Sequence, residues 1–520
     1  MKRLFALLLV LCMMAPLAAF AYDGNGPIAD EKVNLSVLSG YYYPFPVEGM
    51  AWVQQTLKNA NVELDIQIVD DASYKDVVIP RLAAGVDLPD IVKLPTMDQD
   101  MSYLKSGVFL DLTEYYEKYG YNMKKLFEKT PGLKETITTP DHKIFYIPVV
   151  TLAADYSRCI AYNTEWLKEL GREVPTTADE FYEVLKLMKE TDLNHNGEAD
   201  EVPLFLLPNY LQCFGSMWGL NLNNRYAVDE NGVVTCSYAT DAYKDFLTFF
   251  KKLYDEGLLF NEFATSTVDI RNNLLANNRV GCMMTWLGST IGHNTLLNPD
   301  WQIDKDEYIW EGTAPFKGPY GDQAYWASNS VNGYFGITKF CKDPEAAFCF
   351  LDYCMSEEST MLRQVGIEGE DYTIMDGKIQ LSEASLNAKD DYLREKGESF
   401  TGIPFAQGVE SVDIGCGEVL AAKNLELRPY YKAPLTDGFA AAEDLELIQT
   451  YSTDLNSYMD EMMLRFVTGD EPLDQFENYV QNLKALHVDD AASMRDKIDV
   501  MPFGRSGTTA PSNPALELPC

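Results

Sequence analysis

The strongest constraint on the fold is an alternation of strand-like and helix-like segments between residues 33 and 94. Within Val62–Val69, apolar residues alternate with polar ones, which is the two-residue period of a strand. The order along the chain is a strand at Val33–Leu38, a helix at Gly49–Asn59, a strand at Val62–Val69, a helix at Tyr74–Ala84 and a strand at Asp90–Leu94. Strands joined through helices run parallel, so this order predicts an α/β fold built on a parallel sheet.

A second region with the same alternation begins near Pro148. Thr177 and Glu180 form a capping box, in which a hydroxyl and a carboxylate satisfy free amides at the start of a helix. Asp343 and Pro344 are typical of a helix start as well, with Asp as the cap and Pro at the first helical position. The predicted elements are a strand at Ile160–Tyr162 and helices at Thr164–Leu170, Glu180–Lys189, Thr450–Val467 and Leu473–Leu486.

The charge balance restricts the partners. The 520 residues include 42 basic and 79 acidic side chains, for a net charge of −37. So negative a surface repels phosphate backbones and anionic lipid, and we therefore expect no nucleic-acid or membrane-surface partner. The length is sufficient for two large lobes, each with its own core.

The amino terminus predicts export. Lys2 and Arg3 precede the apolar run Leu4–Ala15, and Ala19–Ala21 supplies the small residues of a cleavage site. This pattern is typical of a secretory signal peptide at residues 1–21, because the apolar run is too short for a membrane anchor. Cys12 is an alternative lipidation site, but it lies inside the apolar run and follows the bulky Leu11. We therefore expect a secreted, periplasmic or cell-surface protein without a lipid anchor.

One segment has the spacing of a calcium-binding loop. Oxygen-bearing side chains alternate along residues 192–201, and Gly197 allows a sharp turn at the sixth position. Calcium binds six to eight oxygens, and this spacing lets one loop supply them. At the twelfth position Pro203 replaces the usual Glu, so the closing carboxylates must come from Asp200 and Glu201. The alternative is an Asx-rich turn without metal. His195 is expected to point outward. The expected ligands of a structural Ca²⁺ are Asp192, Asn194, Asn196, the Glu198 carbonyl, Asp200 and Glu201.

The motifs of several enzyme classes are absent from the sequence. It contains no H-E-x-x-H zinc motif, no G-x-S-x-G nucleophile turn and no G-x-G-x-x-G loop. Glu368, Glu370 and Asp371 could form a glycosidase pair only if their separation in space allowed it. The aromatic content is high, with 7 Trp, 31 Tyr and 25 Phe. Such rings stack on sugars in ligand clefts or fill a core.

A set of short segments, in order along the chain, resembles a known family: the sugar-type extracellular solute-binding proteins of ABC importers. The resemblance extends to their larger subgroup of lipoprotein-like and alginate-oligosaccharide binders. The segments are Gly85–Ile91, Gly107–Tyr115, Lys143–Pro148, Tyr162–Leu167, Val174–Phe181, Glu201–Pro203, Asp343–Ala347, Gly366–Tyr372 and Phe466–Asp470.

The resemblance implies a two-lobe, periplasmic-binding-protein-like (type II) α/β fold with a hinge and a ligand cleft between the lobes. The implied parts are an N-terminal lobe at 32–150 plus 322–358, a C-terminal lobe at 151–321 plus 359–505, and a disordered tail at 506–520. It also implies a monomer that delivers a carbohydrate to importer permeases without chemical change, and it makes the calcium loop a feature of the subgroup. A secreted glycan-active enzyme and a ligand-sensing receptor component are the alternatives.

The resemblance also points to regions that bind the ligand. Trp286 is the leading candidate, since its strand resembles the family segment whose Trp stacks on sugar. For Trp218 and Trp326, core packing is the alternative. Arg158 could pair with an anionic sugar or form an internal salt bridge. The full set of expected ligand-binding residues is Tyr42, Tyr43, Tyr156, Arg158, Trp218, Trp286 and Trp326.

Overall fold

The computed structural model describes most of the chain outside its two ends. The described residues are 22–41, 46–94, 107–130, 132–139, 141–151, 157–228, 233–303, 305–327, 331–375, 378–386, 400–432, 436–437 and 442–500. The predicted signal peptide at 1–21 and the predicted tail at 506–520 lie outside them. Within these ranges, no helix is both long and apolar enough to cross a membrane.

The described chain contains both strands and helices from its first lobe to its last helices. The strands are β1 (Val33–Tyr41), β2 (Val62–Asp70), β3 (Ile91–Leu94), β4 (Tyr146–Val150), β5 (Arg158–Asn163), β6 (Val202–Phe205), β7 (Tyr226–Val228), β8 (Val234–Cys236), β9 (Val280–Trp286), β10 (Trp310–Thr313), β11 (Tyr325–Trp326), β12 (Val331–Ile337), β13 (Tyr372–Met375), β14 (Lys378–Leu381), β15 (Tyr431–Lys432), β16 (Thr436–Asp437) and β17 (Asp499–Val500). The helices are α1 (Ala51–Ala60), α2 (Asp71–Ala84), α3 (Thr113–Tyr119), α4 (Tyr121–Lys129), α5 (Leu133–Thr136), α6 (Thr164–Glu169), α7 (Ala178–Glu190), α8 (Asp241–Asp255), α9 (Val268–Ala276), α10 (Thr290–Leu297), α11 (Pro344–Cys354), α12 (Glu357–Gln364), α13 (Glu383–Leu386), α14 (Val409–Cys416), α15 (Glu418–Leu427), α16 (Ala442–Thr468), α17 (Phe476–Ala485) and α18 (Val488–Ile498).

The first sheet has the strand order β2-β1-β3-β12-β4. β1 runs parallel to β2 and β3, and β12 runs antiparallel to β3 and β4. The predicted α/β fold and the parallel arrangement of β1, β2 and β3 are therefore confirmed, while β12 makes the whole sheet a mixed one. The carboxyl ends of β1, β2, β3 and β4 lie at one edge of this sheet, together with the start of β12, where Val331 lies opposite Val150.

Local sequence signals set the bounds of the first helices. α1 buries Trp52, Val53 and Leu57, and it ends at Asn61, whose φ of 59° stops the helix. Burial of each large side chain contributes about 1.5–3 kcal/mol. The helix begins two residues later than the predicted Gly49, because Val47–Gly49 forms a separate 3₁₀ turn. The side chain of Asp70 caps α2 by accepting the N–H of Ala72.

The second sheet has the strand order β10-β5-β9-β6. β5 is antiparallel to β9 and β10, and β6 is parallel to β9. The start of β5 therefore shares one edge with the carboxyl ends of β6, β9 and β10. In open α/β sheets, ligands bind at the edge where parallel strands end.

The predicted capping residues mostly act as expected. The Thr177 hydroxyl accepts the N–H of Glu180 at 3.2 Å, but the Glu180 carboxylate accepts the N–H of Thr176 instead, at 2.8 Å. The Asp343 carboxylate accepts the N–H of Ala346 at 3.0 Å, with Pro344 as the first residue of α11. Both helix starts are thereby confirmed, the first with its carboxylate bond shifted by one residue.

Each sheet has its own hydrophobic core. Phe400 and Phe405 lie in the core of the first sheet, although the sequence assigned their stretch to the C-terminal lobe. Tyr325 and Ala327 lie in the core of the second sheet, although the sequence assigned theirs to the N-terminal lobe. These side chains are placed by contacts with residues far away in the sequence, which local patterns do not record.

Candidate functional site

The two sheets are connected at the edges where their strands end. β4 ends at Val150, and β5 starts at Arg158 after a short connection. The N–H of Val150 donates to the carbonyl of Phe405 at 3.0 Å, and the N–H of Gln407 donates to the carbonyl of Val150 at 2.9 Å. On the other side, the hydroxyl of Tyr431 donates to the carbonyl of Ser157 at 3.2 Å. These bonds hold both ends of the connection, and we call the space beside the two edges the cleft.

Three side chains form a cation–π cluster at the cleft edge of the second sheet. Arg158, the first residue of β5, lies directly opposite Trp286, the last residue of β9. The guanidinium carbon of Arg158 is 4.6 Å from the ring centre of Trp286 and 4.8 Å from that of Tyr210. Tyr210 follows the end of β6 and was not predicted from the sequence. All three side chains are half-buried, so each keeps some surface for a ligand.

Arg158 has no carboxylate partner among the residues that the structure describes. Its Nη1 lies 3.9 Å from the sulfur of Cys213, and its Nε is buried without a hydrogen-bond partner in that part of the chain. Burial raises the pKa of the Cys213 thiol, although the Arg158 charge opposes this rise. Cys213 therefore stays neutral and does not balance the guanidinium charge. The internal salt bridge, one of the two sequence-based alternatives for Arg158, is not found within the described ranges.

Trp326 also keeps an exposed part. It lies in β11, and its indole N–H donates to the carbonyl of Leu220 at 2.7 Å. Its neighbour across the short β11–β15 ladder is Lys432, whose ammonium lies 3.6 Å from Asp322. The hydrogen bond fixes the ring, and the ring remains half-buried.

Trp218 is a core residue, which corrects the expectation that it binds ligand. Its side chain is 3% exposed, and its ring centre lies 5.5 Å from that of Phe246 and 5.2 Å from that of Phe249. The whole 3₁₀ segment Leu211–Trp218 is buried. The ring faces are thus covered by other aromatic rings. Tyr42, Tyr43 and Tyr156, the remaining candidates, lie outside the described residues.

Sequence reasoning missed Lys93, in β3 of the first sheet. The Nζ of Lys93 donates to the Thr401 hydroxyl at 2.7 Å. Lys93 pairs with Phe335, but its Cε lies 3.9 Å from the position that a Cβ on Gly333 would take. The side chain therefore extends along the strand toward the start of β12, which is the cleft edge. Burial lowers the pKa of Lys93 to about 8, against the opposing charge of Asp71. A lysine in the apolar strand Ile91–Leu94 was the available signal.

Hydrogen bonds close the candidate calcium loop on itself. Asp192 accepts the N–H groups of Asn196 at 3.2 Å and Gly197 at 3.0 Å through its two oxygens. The Asp200 Oδ1 accepts the side-chain amides of Asn194 at 2.8 Å and Asn196 at 3.1 Å. Gly197 has a φ of +83°, as the sharp turn requires. These bonds draw the four side chains together, and an Asx-rich turn without metal makes bonds of the same kind.

The remaining acidic groups stabilise the loop. Glu201 is 3% exposed and accepts the N–H of Leu193 at 3.0 Å, which ties the end of the loop to its beginning. Arg279 lies 2.9 Å from the second oxygen of Asp200. Partial burial opposes ionisation of Asp200, but hydrogen bonds from the two amides and the Arg279 charge lower its pKa overall. His195 points outward and lies 3.2 Å from Glu169, as expected.

The donor atoms that this loop offers are oxygens, which is the type that calcium takes. Within the described ranges, no group of three or more His, Cys, Asp or Glu side chains is placed to hold a metal. A cation in this loop would therefore depend on the amide oxygens of Asn194 and Asn196 and on the Glu198 carbonyl as well as on carboxylates. Calcium accepts such neutral oxygens, whereas zinc prefers nitrogen and sulfur.

The comparison with known families decides the class of protein. The family model described as "Bacterial extracellular solute-binding protein" matches residues 46–361, which is more than half of the chain. The chain belongs to this family. Its members are extracellular proteins that bind solutes.

Individual relatives share the fold and much of the length. Lipoprotein LipO of Bacillus subtilis is 29% identical over 388 residues, which cover 70% of this chain and 74% of LipO. The B. subtilis polygalacturonan/rhamnogalacturonan-binding protein YtcQ is 29% identical over 355 residues, 66% of this chain and 67% of YtcQ. The Streptococcus pneumoniae substrate-binding protein FusA in complex with kestose has a TM-score of 0.73 at 21% identity, covering 89% of this chain and 98% of that one. The two-lobe type II α/β fold is thereby confirmed.

Proposed function

We propose that this family member captures an oligosaccharide outside the membrane and delivers it, unchanged, to the permease subunits of an ABC importer. The observation that carries the proposal is the half-buried cluster of Arg158, Trp286 and Tyr210 at the edge where the strands of the second sheet end. Flat rings with an exposed face stack on the apolar faces of sugar rings, and polar neighbours bind the hydroxyl groups. We include Trp326 in the proposed site, together with Tyr42, Tyr43 and Tyr156.

The named ligands of the relatives support a saccharide. YtcQ is described as a polygalacturonan/rhamnogalacturonan-binding protein, and the FusA structure contains kestose. Two relatives with different saccharides suggest a site that recognises sugar rings in general, with the particular sugar set by individual side chains. Stacked rings and a few hydrogen bonds can supply about −8 kcal/mol, which corresponds to a micromolar affinity.

The proposed mechanism is closure of two lobes around the ligand. We assign the two lobes to residues 32–150 plus 322–358 and to residues 151–321 plus 359–505. The cores make two exceptions: Phe400 and Phe405 belong to the first lobe, and Tyr325 and Ala327 belong to the second. The ligand binds one lobe first, and the other lobe then closes over it. A permease that recognises only the closed shape takes ligand from loaded protein, so binding shifts a population between two shapes. The protein acts as a monomer, and the mechanism contains no covalent step.

We further propose that the loop at residues 192–201 holds a structural calcium ion. Asp192, Asn194, Asn196, the Glu198 carbonyl, Asp200 and Glu201 would supply the oxygens, and the convergence of their side chains supports this. One solved structure of FusA is described as an EF-hand mutant, so a relative has such a loop. Bound calcium would cross-link the end of α7 to the start of β6.

The route to the cell exterior is part of the proposal. A signal peptide at residues 1–21 would export the chain, and the family works extracellularly. LipO is named a lipoprotein, so attachment through Cys12 is the alternative to cleavage after Ala21. Mass spectrometry of the protein purified from its own cells distinguishes the two, since lipidation at Cys12 leaves a longer, acylated chain.

Calorimetric titration with a panel of neutral and acidic oligosaccharides tests the proposed function. The purified protein should bind at least one member with a single site, and small-angle scattering should show a smaller radius of gyration in the complex. Shortening of the sugar by the protein would favour the glycan-active enzyme instead. Binding without any change in shape would contradict the closure mechanism.

A further inference from the structure

Among the residues that the structure describes, no carboxylate pairs with the Arg158 guanidinium. The guanidinium has two aromatic rings and a neutral thiol around it, and no ion pair to any described residue. A half-buried cation without a carboxylate is unfavourable, because burial removes part of its hydration. The chain has 79 acidic and 42 basic residues, so carboxylates are abundant enough to pair every cation.

Lys93, in the first sheet, also has no carboxylate partner among the described residues. Its ammonium is largely buried, donates to the Thr401 hydroxyl and has no carboxylate within 4.0 Å in the part of the chain that the structure describes. Asp71, at the start of α2, acts on it from a longer distance. The side chain extends toward the start of β12, at the cleft edge of the first sheet. Within the described part of the chain, each sheet thus has one cation near the cleft edge without a carboxylate partner: Arg158 in the second sheet and Lys93 in the first.

Both cations lie close to the connection between the sheets. Lys93 pairs with Phe335, which pairs with Ile147 in β4. From Ile147 the chain needs three residues to reach the end of β4 at Val150 and eight more to reach Arg158. Both cations therefore lie at the sheet edges that this connection joins, and lobe closure around a ligand would bring them to the same molecule.

We infer that the ligand is an anionic oligosaccharide, with one negative group bound by Arg158 and another bound by Lys93. This inference rests on the proposed function and adds the chemical class of the sugar. Carboxylates of uronic acids and sulfate esters share the required chemistry, since each presents oxygens that accept charge-assisted hydrogen bonds from a guanidinium or an ammonium. Trp286 and Tyr210 orient the Arg158 guanidinium, and the half-buried side chain keeps some surface for the anion.

Titration with three matched groups of sugars tests the inference. The probes are oligogalacturonides of three to six units, the same oligomers with methyl-esterified carboxyls, and sulfated galactose oligomers of similar length. We expect at least one of the two anionic sets of oligomers to bind at least about 30-fold more tightly than the neutral esters. The affinity of that set should fall as the salt concentration increases. Comparison of the carboxylated with the sulfated oligomers shows which anionic group the site prefers.

Three variants test whether Arg158 and Lys93 cause the preference for anionic sugars. Arg158→Gln and Lys93→Met should each weaken binding of the anionic sugar by about 10- to 100-fold and reduce its salt dependence. Arg158→Lys should retain part of the affinity, because it retains the charge. Arg465→Gln is the matched control, since Arg465 already pairs with Glu461 and Glu471 away from the cleft. Circular dichroism and thermal unfolding check that each variant is folded.

The outcomes separate this inference from the proposed function. Equal or tighter binding of the neutral esters, or an anionic affinity unchanged in folded Arg158→Gln and Lys93→Met, overturns the anionic ligand and leaves sugar capture intact. If no sugar in either the neutral or the anionic groups binds, the proposed function itself fails.

Discussion

The guanidinium carbon of Arg158 lies 4.6 Å from the ring centre of Trp286, directly across the antiparallel ladder of β5 and β9. Such a pair holds both side chains in one orientation, because the ladder fixes their backbones and the cation–π contact fixes their ends. A sugar at the proposed site would therefore meet a preformed surface on the second sheet. Less side-chain freedom is then lost on binding, which raises the affinity.

Replacement of Trp286 by alanine removes the central ring of the proposed site. We expect Trp286→Ala to bind oligosaccharide about 10- to 100-fold more weakly, or roughly 1.4–2.8 kcal/mol, because a stacked aromatic ring at the centre of an interface contributes on this scale. Calorimetric titration measures the change. Tyr320→Ala is the control, since Tyr320 is an exposed ring hydrogen-bonded to Asp245 on α8. Equal affinities of both variants and the unmodified protein would remove Trp286 from the site.

Replacement of Trp218 should lower the stability of the protein and leave its affinity for sugar nearly unchanged. Its ring fills the core between Phe246, Phe249 and Phe316, so Trp218→Ala should lower the free energy of unfolding by about 3–5 kcal/mol. The more conservative Trp218→Phe keeps the core filled and should bind sugar within about threefold of the unmodified protein. Urea unfolding and titration measure the two quantities. A large loss of affinity in folded Trp218→Phe would return this residue to the binding site.

Removal of calcium should destabilise the second lobe. A ligand at 100 times its dissociation constant stabilises the native state by about 2.7 kcal/mol, so chelation should lower the midpoint of thermal unfolding by several degrees. Asp192→Ala should unfold at the temperature of the chelated unmodified protein, whether or not calcium is added. The control is Glu173→Gln, an exposed residue before α7, which should respond to chelator as the unmodified protein does. A chelator-insensitive midpoint in the unmodified protein would exclude the structural role.

Lys93 should make stability depend on pH at the alkaline end. Burial lowers its pKa in the folded protein to about 8, below the value of 10.5 in a free lysine. Between these two values the unfolded chain binds more protons than the native one, so this group makes the protein more stable as pH rises. The titratable groups that face Lys93 are Asp71 and Tyr74, both on α2, and Tyr74 stays protonated because burial raises its pKa.

Lys93→Met tests this dependence without a ligand. The variant should be more stable than the unmodified protein by about 1–3 kcal/mol at pH 7, because it removes a buried charge, and the difference should shrink between pH 8 and 10. Urea unfolding across this range measures it, with Lys143→Met, an exposed cation beside Asp141, as the control. A difference that does not change with pH would mean that Lys93 is not the group that titrates.

The fold could be predicted from sequence because its signals are local. The alternation in Val62–Val69 and the caps at Thr177 and Asp343 depend on neighbouring residues, and so does the spacing of the loop that begins at Asp192. The site was less predictable. Trp218 and Trp286 are the same residue type in apolar segments, and only packing against α8 separates the buried ring from the half-exposed one.

Lys93 illustrates the same limit for a charged residue. Its strand contains three apolar residues beside the lysine, which is the only local signal. Its hydrogen-bond partner, Thr401, is 308 residues away in the sequence, and Gly333 leaves room for its side chain. The burial of Lys93 and its hydrogen-bond partner depend on how distant segments of the chain pack in the folded lobe.

The most direct test of the central claim, that this protein binds a sugar and releases it chemically unchanged, is a titration followed by recovery of the ligand. The protein is titrated with the tightest-binding member of the panel, the complex is held at 37 °C, and the released sugar is sized by chromatography. The account predicts a single site of micromolar or better affinity and a recovered sugar of its original length. Absence of binding across the whole panel, or shorter products after incubation, would contradict it.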